Sequence, residues 1–386
     1  MLGSRAAVVR AIAWAMPCSG IVLLWQSATV HFNFGGNWTA LYCTGDRTVV
    51  PPALSAERIY RFANSPGYDG QFYHFIAHDP AFSRGFSLSV DDPRMRWRRI
   101  LIPGLAFIAA AGRTSFIDKS YLFVELAWIF AGAYWASRYC TLHGRSPAWG
   151  LCFALVPATL VSIDRLTIDT ALAALTVGYA WYAARNSMHK LYAILLLAPL
   201  ARETGLALIA GYLLYLVDRR NWRRACWMAT SAIPFAAWAA FVHAHTAPDP
   251  TVFASGYPLG GIVGQTIRGT HIPSAGMVPM AIAIFDDLVA IGIWLALAFT
   301  VRAVFRGTFR ALEAAAATFA ILAIFLSQPG VWVDGYGLGR AFSPWLLLLA
   351  LIGIARGSWW YLLPLGMAIP RVVLQLAPQV SHVIRG

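Results

Sequence analysis

The residues best suited to chemistry lie between positions 65 and 85, in the segment SPGYDGQFYHFIAHDPAFSRG. Asp69 is a carboxylate among aromatic side chains, and helical spacing puts it on one face with Phe72 and Tyr73. At a membrane surface Asp69 would lose part of its hydration. Desolvation raises the pKa of a carboxylate, and a raised pKa suits a general base. Asp69 is therefore a candidate catalytic base. The structural alternative is that it caps a helix near Gly67.

Two histidines lie on another face of the same predicted helix. His74 and His78 have the i, i+4 spacing that metal-binding pairs use on helices. The sequence fixes no third ligand, although Asp79 is close. A hydrogen-bonding or headgroup-facing role is therefore favoured over metal binding, and no cofactor is assigned.

A group of arginines follows in the segment DDPRMRWRRIL. The topology derived below puts Arg94, Arg96, Arg98 and Arg99 on the outer side, whereas Lys and Arg usually collect in cytoplasmic loops. A guanidinium binds phosphate through two hydrogen bonds. We interpret Arg98 and Arg99 as a phosphate site at the level of the lipid headgroups. Arg94 and Arg96 are interpreted as general anchors to anionic lipid.

Four further charged groups lie near the predicted outer ends of membrane spans. Charges within spans are costly and usually face the bundle interior or a pathway. Internal pairing, such as Asp169 with Arg202, is the structural alternative. The groups are Asp164, Arg165 and Asp169; Arg202 and Glu203; Asp286 and Asp287; and Asp334 and Arg340.

The amino-acid composition indicates the kind of secondary structure that carries these residues. The 386 residues are 59% hydrophobic and 12% charged, against about 25% charged in a soluble domain. Apolar runs close to the length of a membrane-spanning helix recur along the chain. The sequence thus predicts an all-α polytopic membrane protein, with one membrane domain over residues 1–386. The net charge of +13 is attributed to cytoplasmic loops rather than to nucleic-acid binding.

The basic loops set the predicted topology. Placing DRRNWRR in the cytoplasm gives 11 spans, with the N-terminus inside. The apolar segment 100–112 is too short to cross, because thirteen helical residues reach about 20 Å and the hydrocarbon core is about 30 Å thick. Residues 29–119 are therefore predicted to form one outer loop with amphipathic and half-inserted helices. Further outer loops are predicted at 245–277 and 328–343.

The first outer loop is similar to a known family. The stretches FGGNWTALYCTGD, GYDGQFYHFIAHDP and RWRRILIP resemble bacterial integral-membrane glycosyltransferases of the GT-C superfamily. YDGQFY is similar to the Trp-Asp or Tyr-Asp motif in the first outer loop of mannosyltransferase-like members. The resemblance is clear over residues 30–105 and weaker to near 220. It implies a transferase in the bacterial inner membrane, with a polyprenyl-phosphate-linked sugar as donor and an active site facing the periplasm.

The resemblance also implies roles for individual residues. Asp69 corresponds to the acidic residue that acts as base or positions the acceptor hydroxyl. Candidate contacts to the donor phosphate are Arg98, Arg99, Arg202 and Arg340. Further candidate substrate contacts are Tyr68, Gln71, Tyr73, His74, Asp79, Asp169 and Glu203. The implied partners are the lipid-linked donor, a lipid or glycan acceptor and membrane lipids. The chain has no clear DxD pair, so a divalent metal is not indicated.

Two other classes of protein remain as alternatives. A lipid or solute transporter would favour inverted repeats and charges near the bilayer midplane. The sequence contains no evident repeat, and its charged groups gather at the outer edge. The second alternative is an inactive partner subunit of the same superfamily, in which Asp69 and the arginines would be dispensable.

Overall fold

The described part of the chain is almost entirely helical. The computed structural model describes residues 2–247, 257–268, 276–306, 308–326 and 329–385. The predicted loop at 245–277 therefore lies partly outside the described residues. One pair of two-residue strands, β1 (Thr44–Gly45) and β2 (Arg61–Phe62), runs parallel, with Thr44 opposite Arg61.

The helices account for nearly all regular structure in the described ranges. In chain order they are α1 (Leu2–Phe34), α2 (Asp69–His78), α3 (Pro93–Arg98), α4 (Leu101–Ala109), α5 (Thr114–Leu142), α6 (Pro157–Arg165), α7 (Asp169–Ala184), α8 (Met188–Ala201), α9 (Leu206–Asp218), α10 (Trp222–Ala229), α11 (Ile233–His245), α12 (Gly260–Arg268), α13 (Met277–Phe305), α14 (Ala311–Phe325), α15 (Gly335–Arg356), α16 (Leu363–Leu374) and α17 (Ala377–Arg385). Short 3₁₀ helices connect several of them. This agrees with the predicted all-α class.

Several helices are long and apolar enough to cross a membrane. Among the described residues, four pass by length and composition: Arg5–Phe34, Trp222–His245, Met277–Phe305 and Gly335–Arg356. Two bent helix pairs raise the number to six if each pair is one span. Helices α8 and α14 are apolar but shorter. These helices are consistent with an integral membrane protein, whereas the predicted count of 11 spans is not confirmed.

Proline explains the sharper of the two bends. A 3₁₀ helix over Pro147–Leu155 meets α6 at an angle of 57°. Proline restricts the residue before it to extended backbone and cannot continue the preceding helix's hydrogen bonds. Val156 accordingly has φ −60° and ψ 130°, and Pro157 begins α6. Residues 147–165 are therefore a broken element rather than one straight helix.

Two interior helices carry charged residues at their N-terminal ends. Helix α7 is buried continuously from Asp169 to Trp181, and 83% of the residues in the most apolar stretch of α15 are buried. A helix that is apolar on all sides belongs in the interior of a bundle. The two helices pack against each other. Their N-terminal turns bring Asp169 and Arg340 into the same region.

The segment 100–112 folds as one short helix and a turn. Helix α4 has nine residues, a length of about 14 Å. It ends where Ala111 and Gly112 adopt positive φ values of 50° and 69°, and α5 begins at Thr114. A helix of this length cannot cross a hydrocarbon core of about 30 Å as a straight span.

The N-terminus of α2 is held by close backbone packing. Gly67 has φ +77°, a conformation that favours glycine. A Cβ on Gly70 would lie 2.1 Å from the carbonyl oxygen of Arg165, so only glycine allows α2 to approach α6 this closely. The Gln71 amide accepts a hydrogen bond from the backbone N–H of Gly45 and donates one to the carbonyl of Pro66. The first turn of α2 is thereby fixed against β1 and α6.

Candidate active site

Asp69 begins α2 and lies between two arginines. Its Oδ1 accepts a hydrogen bond from Arg96 of α3 at 2.9 Å, and its Oδ2 accepts one from Arg340 of α15. The N-cap residue of α2 is Tyr68, and no side chain caps this end of the helix. The Asp69 side chain is 21% exposed. Its carboxylate therefore bridges two helices, and the capping alternative does not describe it.

The arginines reverse the expected direction of the Asp69 pKa. Burial raises the pKa, but the charges of Arg340 and Arg96 and their hydrogen bonds outweigh burial and hold it well below its usual range. The expectation of a raised pKa is therefore wrong for this arrangement. Asp69 is ionised at neutral pH and accepts hydrogen bonds. A stronger base results only if an arginine turns to another anion.

A second carboxylate extends the cluster from Arg340. Arg340 Nε donates to Asp169 Oδ2 at 2.6 Å, and Arg202 donates to Asp169 Oδ1 at 2.6 Å. Arg340 also donates to the hydroxyl of Tyr68 at 2.9 Å. The pairing of Asp169 with Arg202, given above as the structural alternative for these charges, is present. Asp69, Arg340, Asp169 and Arg202 thus form a continuous chain of alternating charge.

Arg99 forms a neighbouring ion pair with Glu203. The guanidinium donates two hydrogen bonds to the Glu203 carboxylate and a third, at 3.2 Å, to the hydroxyl of Tyr73. Burial raises the pKa of Glu203, but Arg99 lowers it more, so that the pKa is about 2. Both charges are present at neutral pH, and Tyr73 links this pair to α2.

An apolar groove leads away from this pair along α9 and α14. The cavity has a volume of about 570 Å³. Its charged lining residues are Arg98, Arg99, Arg202 and Glu203, and its other lining residues include Leu206, Ala207, Ala210, Thr318, Phe319, Leu322, Phe325 and Phe342. Arg202 and Glu203 directly precede α9. The charges therefore lie at the end of the groove where α9 begins.

Most of the candidate site residues come together. The charged cluster consists of Tyr68, Asp69, Asp169, Arg202 and Arg340. Tyr73, Arg99 and Glu203 form the neighbouring pair, while Arg98 lines the groove and donates to the carbonyl of Arg94.

Three candidates have other contacts. Gln71 holds the loop before α2. Asp79 accepts hydrogen bonds from the backbone N–H groups of Ser83, Arg84 and Phe86, and thereby fixes the turn after α2. His74 is fully buried and faces Glu57 and Asp118.

Arg96 has a role that the sequence did not reveal. The expectation of a general lipid anchor is wrong for this residue, because it is 6% exposed and pairs with both Asp69 and Asp91. Its guanidinium also lies 5.0 Å from the ring centre of Phe72. Asp91, five residues earlier, was the one local signal for an ion pair. The distant partner, Asp69, has no such signal.

The other acids near predicted span ends make structural contacts. Asp164 pairs with Arg165 at 3.0 Å. Asp286 pairs with Arg371 at 2.6 Å. Asp334 caps α15 by accepting a hydrogen bond from the N–H of Gly337. Within the described ranges, none of these three acids pairs with an arginine of the charged cluster around Asp69. Arg165 contacts the cluster through Tyr68, because its guanidinium lies 4.5 Å from the centre of that ring.

Comparison with known proteins identifies no relatives. No protein-family model matches the chain, and no curated protein or solved structure is significantly similar to it. Function is therefore inferred from the chemistry of the charged cluster and the groove.

Proposed function

We propose that this chain is a membrane glycosyltransferase that takes a sugar from a polyprenyl-phosphate donor. The observation that carries the proposal is the apolar groove along α9 and α14 with Arg98, Arg99 and Arg202 at its charged end. A lipid-linked donor has the same polarity, because its prenyl chain is apolar and its phosphate is anionic. The proposal agrees with the resemblance of residues 30–105 to the GT-C superfamily.

The charge balance at the groove supports binding of an anion. Three arginines and one acid line it. Arg99 pairs with Glu203 and Arg202 with Asp169, which leaves Arg98 as the lining arginine without a carboxylate partner among the described residues. Arg202 has a buried Nε without a hydrogen-bond partner among the described residues. A phosphate accepts hydrogen bonds from guanidinium groups in a bidentate geometry. Arg202 lines the groove while it pairs with Asp169, and a turn of its side chain would present this unpartnered Nε to a phosphate oxygen.

Asp69 is assigned to the acceptor in this proposal. The acceptor oxygen attacks C1 of the sugar, the bond from C1 to the phosphate oxygen breaks, and Asp69 takes the acceptor proton. The arginines stabilise the departing polyprenyl phosphate. Arg340 contacts Asp69 and belongs to the same charge chain as Arg202. If a bound phosphate attracts Arg340, Asp69 loses a partner and its pKa rises.

A bulky substitution in the groove tests where the donor binds. Ala210 is exposed and lines the groove, so Ala210→Trp fills the groove at little cost to folding. We expect it to raise the dissociation constant for polyprenyl phosphate at least about tenfold, a loss of about 1.4 kcal/mol. Binding is measured on the purified chain in detergent by native mass spectrometry with polyprenyl phosphate as the ligand.

Leu214→Trp is the matched control. Leu214 lies one turn further along α9, is 47% exposed and does not line the groove. This variant should bind polyprenyl phosphate like the wild type. Equal binding by both variants would show that the lipid does not occupy the groove.

A further inference from the structure

We propose that His74, His78, Glu57 and Asp118 bind a divalent transition-metal ion such as Zn²⁺. The site is separate from the charged cluster around Asp69. Among the described residues, Glu57, His74 and His78 offer ligand atoms that all lie within 4.8 Å of one another. The proposed glycosyl transfer uses none of these side chains and needs no metal at this position.

The distances between the side chains suit ligands of one ion. His74 Nε2 lies 3.9 Å from Glu57 Oε2, and His78 Nδ1 lies 3.9 Å from Glu57 Oε1. Asp118 Oδ1 lies 2.8 Å from His74 Nε2 and 4.0 Å from His78 Nε2. Ligand atoms of a tetrahedral zinc site lie roughly 3.4 Å apart, given bonds of 2.0–2.1 Å. His78 faces Glu57 with Nδ1 and Asp118 with Nε2, and one ion bonds only one of these nitrogens. Glu57, His74 and His78 are therefore the three-ligand core of the proposed site, and Asp118, beside His74, is the candidate fourth ligand.

The polar atoms of this group are buried without satisfied hydrogen bonds. His74 is 0% exposed and His78 is 2% exposed. Both ring nitrogens of each histidine, together with Glu57 Oε2 and Asp118 Oδ1, make no hydrogen bond of good geometry among the described residues, although Asp118 Oδ1 lies 2.8 Å from His74 Nε2. Buried polar groups normally have a partner. A hydrogen-bonded cluster would satisfy some of these atoms, whereas a metal ion would satisfy one atom from each side chain at once.

Charge and chemistry define the class of ion. Two carboxylates balance the charge of a divalent cation when the imidazoles are neutral. Imidazole together with carboxylate favours zinc and neighbouring first-row metals over calcium or magnesium. The ring of Tyr42 stacks on His74, with centroids 4.0 Å apart and an angle of 11° between the planes, and this stacking fixes the orientation of the ligand.

The site has an access route and a structural consequence. Glu57 and Asp118 line an open cavity of about 550 Å³, through which an ion can enter. Glu57 precedes β2, the histidines lie on α2, and Asp118 lies in the first turns of α5. One ion would therefore join three parts of the 29–119 segment. It would also hold the helix that begins at Asp69.

Metal content of the purified full chain tests the proposal. The protein is prepared in detergent with an affinity tag that contains no histidine, on a Cys152→Ser/Cys226→Ser background, because both thiols are exposed. After incubation with zinc chloride and desalting, we expect about one zinc ion per chain. His74→Ala should lower the zinc affinity by at least about 100-fold. The control His243→Ala, at an exposed position on α11, should keep the zinc.

A second variant and a second readout keep the test decisive if His74→Ala does not fold. Glu57→Gln preserves the shape of a side chain that is 23% exposed. Zinc should raise the melting temperature of the wild type, EDTA should reverse the rise, and Glu57→Gln should show neither response. The proposal is overturned if the wild type retains no zinc, or if Glu57→Gln binds as much zinc as the wild type.

Discussion

Replacement of Asp69 by asparagine is expected to lower the initial rate of polyprenyl phosphate release by about 10²- to 10⁴-fold, the usual contribution of a general base. Asparagine preserves the shape of the side chain and keeps an oxygen acceptor for one arginine, but it cannot take the acceptor proton. The rate is measured at saturating donor, so that the result reports turnover rather than binding.

Asp91→Asn is the control for loss of ion pairing alone. Asp91 is 46% exposed and pairs with Arg96, the arginine that also contacts Asp69. Because Asp91 is half-exposed and asparagine still accepts a hydrogen bond from Arg96, the rate should fall less than about tenfold. Both variants should still bind polyprenyl phosphate. If Asp69→Asn turned over as fast as Asp91→Asn, Asp69 would have a structural role and no part in proton transfer.

Truncation of Arg340 to alanine is expected to lower the free energy of unfolding by about 3–5 kcal/mol, the usual cost of removing one member of a buried ion pair. Arg340 is 8% exposed, and its loss leaves Asp69 and Asp169 each without one partner. The effect is measured as a fall in the melting temperature in detergent. Arg340→Lys should recover part of the stability, because one ammonium cannot bridge both carboxylates and Tyr68 as the guanidinium does.

Arg302→Ala provides the reference for removing an arginine without removing a buried pair. Arg302 is exposed in the last turn of α13, and such surface changes usually stay within about 0.5 kcal/mol. Equal melting temperatures for Arg340→Ala and Arg302→Ala would contradict the account of Arg340 as the centre of the charged cluster.

Local patterns in the sequence predicted the features that depend on near neighbours. The helical spacing of Asp69, Phe72 and Tyr73 predicted a helix, and α2 begins at Asp69. The count of residues in 100–112 predicted a helix too short to cross, and α4 has nine residues. The pairing of Asp169 with Arg202 stood as the structural alternative because charges within helices need partners, and the two side chains do pair.

Contacts between distant parts of the chain could not be predicted in this way. Arg340 and Asp69 lie 271 positions apart, and no helical period relates α15 to α2. For the same reason the sequence left Asp69 with a raised pKa, since burial was visible in the pattern and the two arginine partners were not. Glu57 lies in an irregular stretch before β2, so nothing in its spacing connected it with His74.

The proposed sugar transfer is tested by following a labelled donor sugar. The purified chain is reconstituted into vesicles that carry a polyprenyl-phosphate-linked sugar, and a membrane extract supplies lipid and glycan acceptors. We expect the label to move to an acceptor while polyprenyl phosphate is released in equal amount. Movement of the intact donor or free sugar across the bilayer without transfer, or no change in the donor at all, would contradict it.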